Sequence, residues 1–238
     1  KKDQHPLTGI KKYLNIQKKK NLICFSTPFD EESVDKLESL NAPCYKIASF
    51  ECTDLSLIKK VSKTKKPVII STGMATLDEI SEAADCARSN GCKNLALLKC
   101  VSIYPAQHDD LNLSSIKSLK KIFNCEVGFS DHTAGVEASI AAATIGAEVI
   151  EKHFTLSKNM KGPDHSSSID FKELEFMIKS IRNIEIGMGK FGKYVSKVEK
   201  KNKLSVRKSI VAFKPIKKGT LFTKDNLITK RPGTGIAA

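Results

Sequence analysis

The 238-residue sequence predicts an α/β protein built on a parallel sheet, of the (β/α)-barrel kind. Three observations carry that expectation. Short apolar runs alternate with amphipathic helical segments six times, and a helix between successive strands makes them parallel. The runs are apolar without a period of two, as expected of strands covered on both faces. Each run ends in polar residues, and a barrel's active site sits at the C-terminal ends of its strands. A doubly wound open sheet is the rival, but it concentrates chemistry at one switch point. Polar ends on all six strands favour the barrel.

The elements follow in order. Ile10 to Lys20 suits an amphipathic helix. Asn21 to Thr27 reads as the first strand, broken by Pro28-Phe29-Asp30. Glu31 to Leu40 is helical, with Val34, Leu37 and Leu40 on one face. Tyr45 to Ser49 is the second strand and Leu55 to Ser62 its helix. Pro67 to Thr72 is the third strand. Its helix runs from Leu77 to Ser89, with Thr76 placed to cap it. Leu95 to Ser102 precedes the helix Ser115 to Phe123. Val127 to Ser130 precedes Ala134 to Ile145. Val149 to Phe154 precedes Phe171 to Gly187. A closed barrel needs eight units, so the sequence reads as a barrel lacking its first two.

After this domain (residues 1–190) the pattern changes. Residues 191–204 are polar and lysine-rich and read as a linker. Residues 205–238 read as the start of a small β-rich domain, with turns at Lys217-Lys218-Gly219 and Pro232-Gly233.

Bulk properties narrow the class. No run of eighteen apolar residues exists, so no membrane span is expected. The seven cysteines are odd in number, scattered and without CxxC spacing, which argues against a disulfide framework or zinc knuckle. Core cysteines in a reducing cytoplasm are the expectation. The formal charge is +14 and aromatic residues make up 6%. No aromatics interleave with basic residues as a stacking platform for nucleic acid requires. The charge reads as a solvated lysine-rich surface that also steers anionic substrates.

The strand ends carry the chemistry. Ser26, Thr27, Lys46, Ser49, Glu51, Ser71, Thr72, Lys99, Ser102 and Tyr104 come first. The set closes with Ser130-Asp131-His132 and Glu151-Lys152-His153. Hydroxyls and a lysine at one rim suit a phosphate or carboxylate. Two histidines at matching places on adjacent strands suit a divalent metal with open positions; structural histidines are the plain alternative. Lys46 inside an apolar strand is a stronger signal, because a buried lysine needs a partner. Glu51 suits acid–base work, or is a solvated loop residue. Glu151 and Lys152 could simply pair with each other.

Several of these segments together resemble one family. They are Phe25-Ser26-Thr27-Pro28-Phe29-Asp30, Tyr45-Lys46-Ile47-Ala48-Ser49, Ile70-Ser71-Thr72-Gly73-Met74-Ala75-Thr76, Phe129-Ser130-Asp131-His132-Thr133, Glu151-Lys152-His153-Phe154-Thr155 and Gly162-Pro163-Asp164-His165. In that order the sequence is similar to the N-acetylneuraminate (sialic acid) synthase family, with its legionaminate, pseudaminate and spore-coat polysaccharide relatives. The tail from Val206 to Ile236 resembles the start of that family's antifreeze-like (SAF) domain.

The resemblance implies condensation of phosphoenolpyruvate with an N-acetylated amino sugar, N-acetylmannosamine or a 6-deoxy diacetamido hexose, to give a nonulosonic acid and phosphate. It implies manganese, magnesium or cobalt held by His132 and His153. Thr27, Lys46, Ser49, Ser71 and Ser130 are then the phosphoenolpyruvate contacts, Glu51 the acid–base residue, and Tyr104 and Asp164 sugar contacts. Arg231 is expected to reach the partner's site in a domain-swapped homodimer. The sequence departs from the pattern at Lys99, where many members have His, and at Val101-Ser102, where many have Asn or Thr-Ser. A non-catalytic carbohydrate-binding protein and a heptulosonate-type synthase on a similar barrel are the other classes. The first is opposed by the joint presence of His132, His153, Lys46 and Glu51, the second by the SAF-like tail.

Overall fold

The computed structural model describes Lys20 and residues 22–238. They form two compact units that divide between Met188 and Gly189. The helix expected at 10–20 falls, Lys20 apart, outside the described residues.

The first unit is one parallel sheet. Its strands are β1 (Tyr45–Ile47), β2 (Val68–Ser71), β3 (Leu95–Cys100), β4 (Glu126–Asp131) and β5 (Ile150–Lys152). They lie in the order β1-β2-β3-β4-β5, and every neighbouring pair is parallel. Spatial order follows chain order without reversal. A doubly wound sheet would reverse at its switch point, so the arrangement is the barrel's.

The expected first strand is corrected. Residues 22–28 carry no strand, and β1 forms the edge of the described sheet. A strand exists through its ladder and a packed face. Leu22, Ile23 and Phe25 are instead 67, 78 and 40% exposed.

The helices are α1 (Glu31–Ser39), α2 (Leu55–Ser62), α3 (Leu77–Ser89), α4 (Ser115–Phe123), α5 (Glu137–Thr144) and α6 (Phe171–Met188). Helix α3 shows why the sequence folds so. Ile80, Ala83, Ala84 and Ala87 recur at helical spacing and are all buried, which sets one face on the sheet. Thr76 accepts from the Glu79 N–H at 3.3 Å while Glu79 accepts from the Thr76 N–H at 2.7 Å. That reciprocal capping box fixes the helix start. Helix α5 begins at Glu137 rather than Ala134, because Gly135 turns the chain at φ +78°.

Ile47, Ile70, Leu97, Val127 and Phe129 line the sheet side of the core, meeting Val34, Ile58, Val61, Ile116 and the α3 alanines. Burial on both faces of β2 and β4 accounts for their unbroken apolar sequence.

In the second unit, the stretch read as a linker contains a helix, α7 (Lys197–Val206). Ser196 and Glu199 form a second capping box, a local signal that composition masked. An antiparallel pair follows, β6 (Ser209–Ala212) with β7 (Leu227–Lys230). Among the described residues, no helix is long and apolar enough to cross a membrane.

Candidate functional site

Register decides which side chains meet. Lys46 pairs with Ile69, two before Ser71; Ser71 pairs with Leu98, two before Cys100. Cys100 pairs with Ser130, and Ser130 with Glu151. Cross-strand partners share a face and residues two apart share a face. Lys46, Ser71, Cys100, Ser130 and Glu151 therefore lie on one face of the sheet. Lys99, Asp131 and Lys152 lie on the other.

Of the first set, Lys46, Ser71, Ser130 and Glu151 line a cavity of about 240 Å³ at the strands' C-terminal ends, together with Thr27, Ser49, Tyr104, His132 and His153. Lys46 is 6% exposed. Its Nζ donates to Ser71 Oγ at 2.7 Å and lies 3.5 Å from Glu151 Oε2. Ser130 Oγ donates to Glu151 Oε1 at 2.6 Å. Glu151 thus ties together the groups expected to meet an anion. The Gly73 N–H donates to Ser49 Oγ at 3.1 Å. A Cβ on Gly73 would lie 2.9 Å from that oxygen and run into Ser102 Oγ, so only glycine allows this close approach.

The other wall is a ring cluster. Tyr104 sits 4.1 Å from His132 and 5.4 Å from His153, centroid to centroid, and the two imidazoles are 5.4 Å apart. His132 Nδ1 lies 2.7 Å from the Val101 carbonyl, which requires a proton on Nδ1 and leaves Nε2 as the lone-pair nitrogen. His153 Nδ1 faces Asp164 Oδ2 at 3.8 Å. Burial opposes protonation of both rings. For His132, Cys100 and the Val101 carbonyl outweigh it and the pKa rises. For His153, burial and the neighbouring His132 lower it.

Glu51 ends the short 3-10 turn Ser49–Glu51. Its Oε2 is buried without a hydrogen-bond partner. Burial raises its pKa, Asp54 adds to the rise and Lys46 opposes it. An unsatisfied buried carboxylate oxygen is uncommon, and Glu51 is not among the residues that line the cavity.

Three residues assigned to the rim from sequence, Lys99, Asp131 and Lys152, point away from it. Lys152 Nζ lies 2.9 Å from Asp131 Oδ2, and both side chains are buried against the helix side. Glu151 and Lys152 do not pair, because consecutive strand residues face opposite ways. Lys99 also leaves the rim; its Nζ donates to the Cys100 carbonyl at 3.2 Å. Arg231 follows β7 in the second unit and is exposed. Cys100, read as a core residue, is 3% exposed yet sits 3.8 Å from His132 Nδ1. Register against Ser130 is what finds it, and a single strand's sequence does not contain that information.

Among the described residues, no group of three or more His, Cys, Asp or Glu is placed to hold a metal. The two imidazoles, 5.4 Å apart, would supply at most two ligands to a metal. The fixed His132 tautomer fits that use, since a metal-bound histidine normally donates its other N–H to a carbonyl or carboxylate.

A parallel (β/α) sheet whose polar residues gather at its strand ends defines a barrel protein of the enzyme type. Comparison with known proteins narrows this further. The NeuB family model matches residues 3–193, and the SAF domain model residues 207–238. The chain belongs to the NeuB family. It is 51% identical over 234 residues to the N,N'-diacetyllegionaminic acid synthase of Campylobacter jejuni, covering 98% of this chain and 70% of that protein. It is 38% identical over 231 residues to the pseudaminic acid synthase of Helicobacter pylori, covering 97% and 68%. With the N-acetylneuraminate-9-phosphate synthase of Homo sapiens it is 35% identical, over 84% of this chain and 56% of that one.

Among solved structures, the sialic acid synthetase of Leptospira borgpetersenii superposes with a TM-score of 0.78 at 30% identity, covering 84% of this chain and 70% of that one. The fold alone is shared with a 3-deoxy-D-arabino-heptulosonate 7-phosphate synthase of Thermotoga maritima, at TM-score 0.69 and 16% identity, covering 78% and 74%.

Proposed function

We propose that the chain is the larger part of a synthase that joins phosphoenolpyruvate to an N-acetylated amino sugar, giving a nonulosonic acid and inorganic phosphate. The observation that supports this most is the joining of two chemistries in one cavity. A buried lysine with converging hydroxyls lines one wall, and two histidines packed on a tyrosine line the other.

Lys46, Ser71, Ser130, Ser49 and Thr27 bind the phosphate and carboxylate by charge-assisted hydrogen bonds. Glu151, which engages Lys46 and Ser130 in the free protein, gives those donors up to the incoming anion. Tyr104 and Asp164 orient the open-chain sugar beside the histidines. His132 and His153 would hold a divalent cation, which would supply Lewis acidity toward the sugar aldehyde when bound. The enol carbon of phosphoenolpyruvate forms a bond to the aldehyde carbon, and water adds to the resulting cationic carbon. Phosphate then leaves by cleavage of its C–O bond. Glu51 takes the proton released by water and returns one to the developing hydroxyl.

The reading extends to a cytoplasmic, domain-swapped homodimer in which Arg231 serves the partner's site. N-acetylmannosamine and 6-deoxy diacetamido hexoses are the candidate sugars; the legionaminic and pseudaminic acid synthases among the relatives support the second group. The test is phosphate release by the full-length protein with phosphoenolpyruvate and a panel of such sugars, with and without manganese. Release that needs both sugar and metal is expected. Binding of sugar without turnover, or no release with any sugar, would overturn the proposal.

A further inference from the structure

The geometry points to the buried Asp131–Lys152 pair as a positioning device that sets the spacing of His132 and His153. The inference rests on the proposed metal role of those histidines.

Asp131 and Lys152 are cross-strand partners in the last rung of the β4–β5 ladder. Each immediately precedes one histidine. Their side chains are 0% and 3% exposed, on the face opposite the cavity, so neither can touch substrate. The Asp131 carboxylate accepts from four donors. Oδ1 takes the Thr133 N–H and hydroxyl, each at 2.8 Å. Oδ2 takes the Ser139 hydroxyl at 2.6 Å and Lys152 Nζ at 2.9 Å. Lys152 Nζ also donates to the Thr133 carbonyl at 2.8 Å.

Thr133 is therefore held at its N–H, hydroxyl and carbonyl by the two members of the pair. His132 lies between Asp131 and Thr133, so its backbone is clamped on both sides, and its own carbonyl accepts from the Ala106 N–H at 2.9 Å. The same lysine is itself the residue before His153, so its bonds to Asp131 and Thr133 fix the strand end that carries this second histidine. A buried ion pair is costly unless its remaining hydrogen bonds are satisfied. Here most of that bonding is spent on one turn of backbone beside one histidine. An isolated apolar pair would stabilise the sheet equally well; what it could not do is hold Thr133 and join the two histidine-bearing strand ends.

The experiment measures manganese affinity by electron paramagnetic resonance in the full chain, phosphoenolpyruvate affinity without metal, and the unfolding midpoint. The parent is compared with Lys152→Gln. Where Lys152→Gln does not fold, Asp131→Asn/Lys152→Gln, which removes both charges, takes its place. The expected result is a loss of manganese affinity of about tenfold or more, with phosphoenolpyruvate affinity within about twofold. Unchanged manganese affinity in the folded variant, or parallel weakening of both ligands, overturns the inference while leaving the metal reading intact. If the parent binds no manganese, or binds it equally well as His153→Ala, the metal reading itself fails and the inference falls with it.

Discussion

The two faces of β4 and β5 end differently, although the same few residues build both. On the cavity side Ser130 and His132 are buried, but the side chains of Glu151 and His153 stay partly exposed. His153 faces a half-exposed aspartate at 3.8 Å, and the Glu151 side chain is 40% exposed. On the helix side Asp131 and Lys152 are sealed, with four donors on one carboxylate. Polar groups that are buried and fully satisfied rigidify a fold. Polar groups left partly exposed with exchangeable partners are free to bind. Alternation along the strand separates the two tasks by one residue.

That contrast breaks if substitutions on the two faces have the same consequences. The largest effect is expected from His132→Ala or His153→Ala. Either lowers metal-dependent phosphate release by about a thousandfold or more, the scale of losing a principal transition-state stabiliser, while the unfolding midpoint stays near the parent's. Retained metal-dependent turnover in both variants contradicts the assignment.

Next comes Asp131→Ala. Removing one partner of a buried ion pair costs about 3–5 kcal/mol, which denaturant unfolding reads as a lower midpoint. A change under about 1 kcal/mol would mean that the outer face is no more a scaffold than the inner one.

Lys46→Ala sharpens the comparison within the cavity. The loss of a charged donor, worth about 1.5–3 kcal/mol, is expected mainly as a raised KM for phosphoenolpyruvate. Unchanged KM and kcat would remove Lys46 from the anion site. The smallest effect is a control at a residue that does not line the cavity. Thr76→Ala removes the hydroxyl half of the α3 capping box and costs about 1 kcal/mol of stability, with activity unaltered.

Much of this arrangement is legible from sequence because it is local. Helix α3 carries its own cap and apolar spacing, and Lys46 betrays itself as a charge inside an apolar strand. What sequence misses is set by pairing. Residues 22–27 have strand-like composition, but a ladder needs a neighbour and none of the described strands supplies one. Asp131, Lys99 and Lys152 look like rim residues because they end strands; only register shows that they face the helices. Cys100 hides for the same reason. The helix at 197–206 was obscured by lysine content, although Ser196 and Glu199 stand at capping-box spacing. The site roles that come from the family motifs, such as Glu51 and Arg231, have no signal in periodicity at all.

The proposed chemistry breaks the C–O bond of phosphoenolpyruvate while joining its enol carbon to a sugar. Turnover of the full-length protein in water labelled with heavy oxygen tests it directly, by mass analysis of the phosphate released. Phosphate free of label is expected, because water attacks carbon. Label in the phosphate would show attack at phosphorus and contradict it.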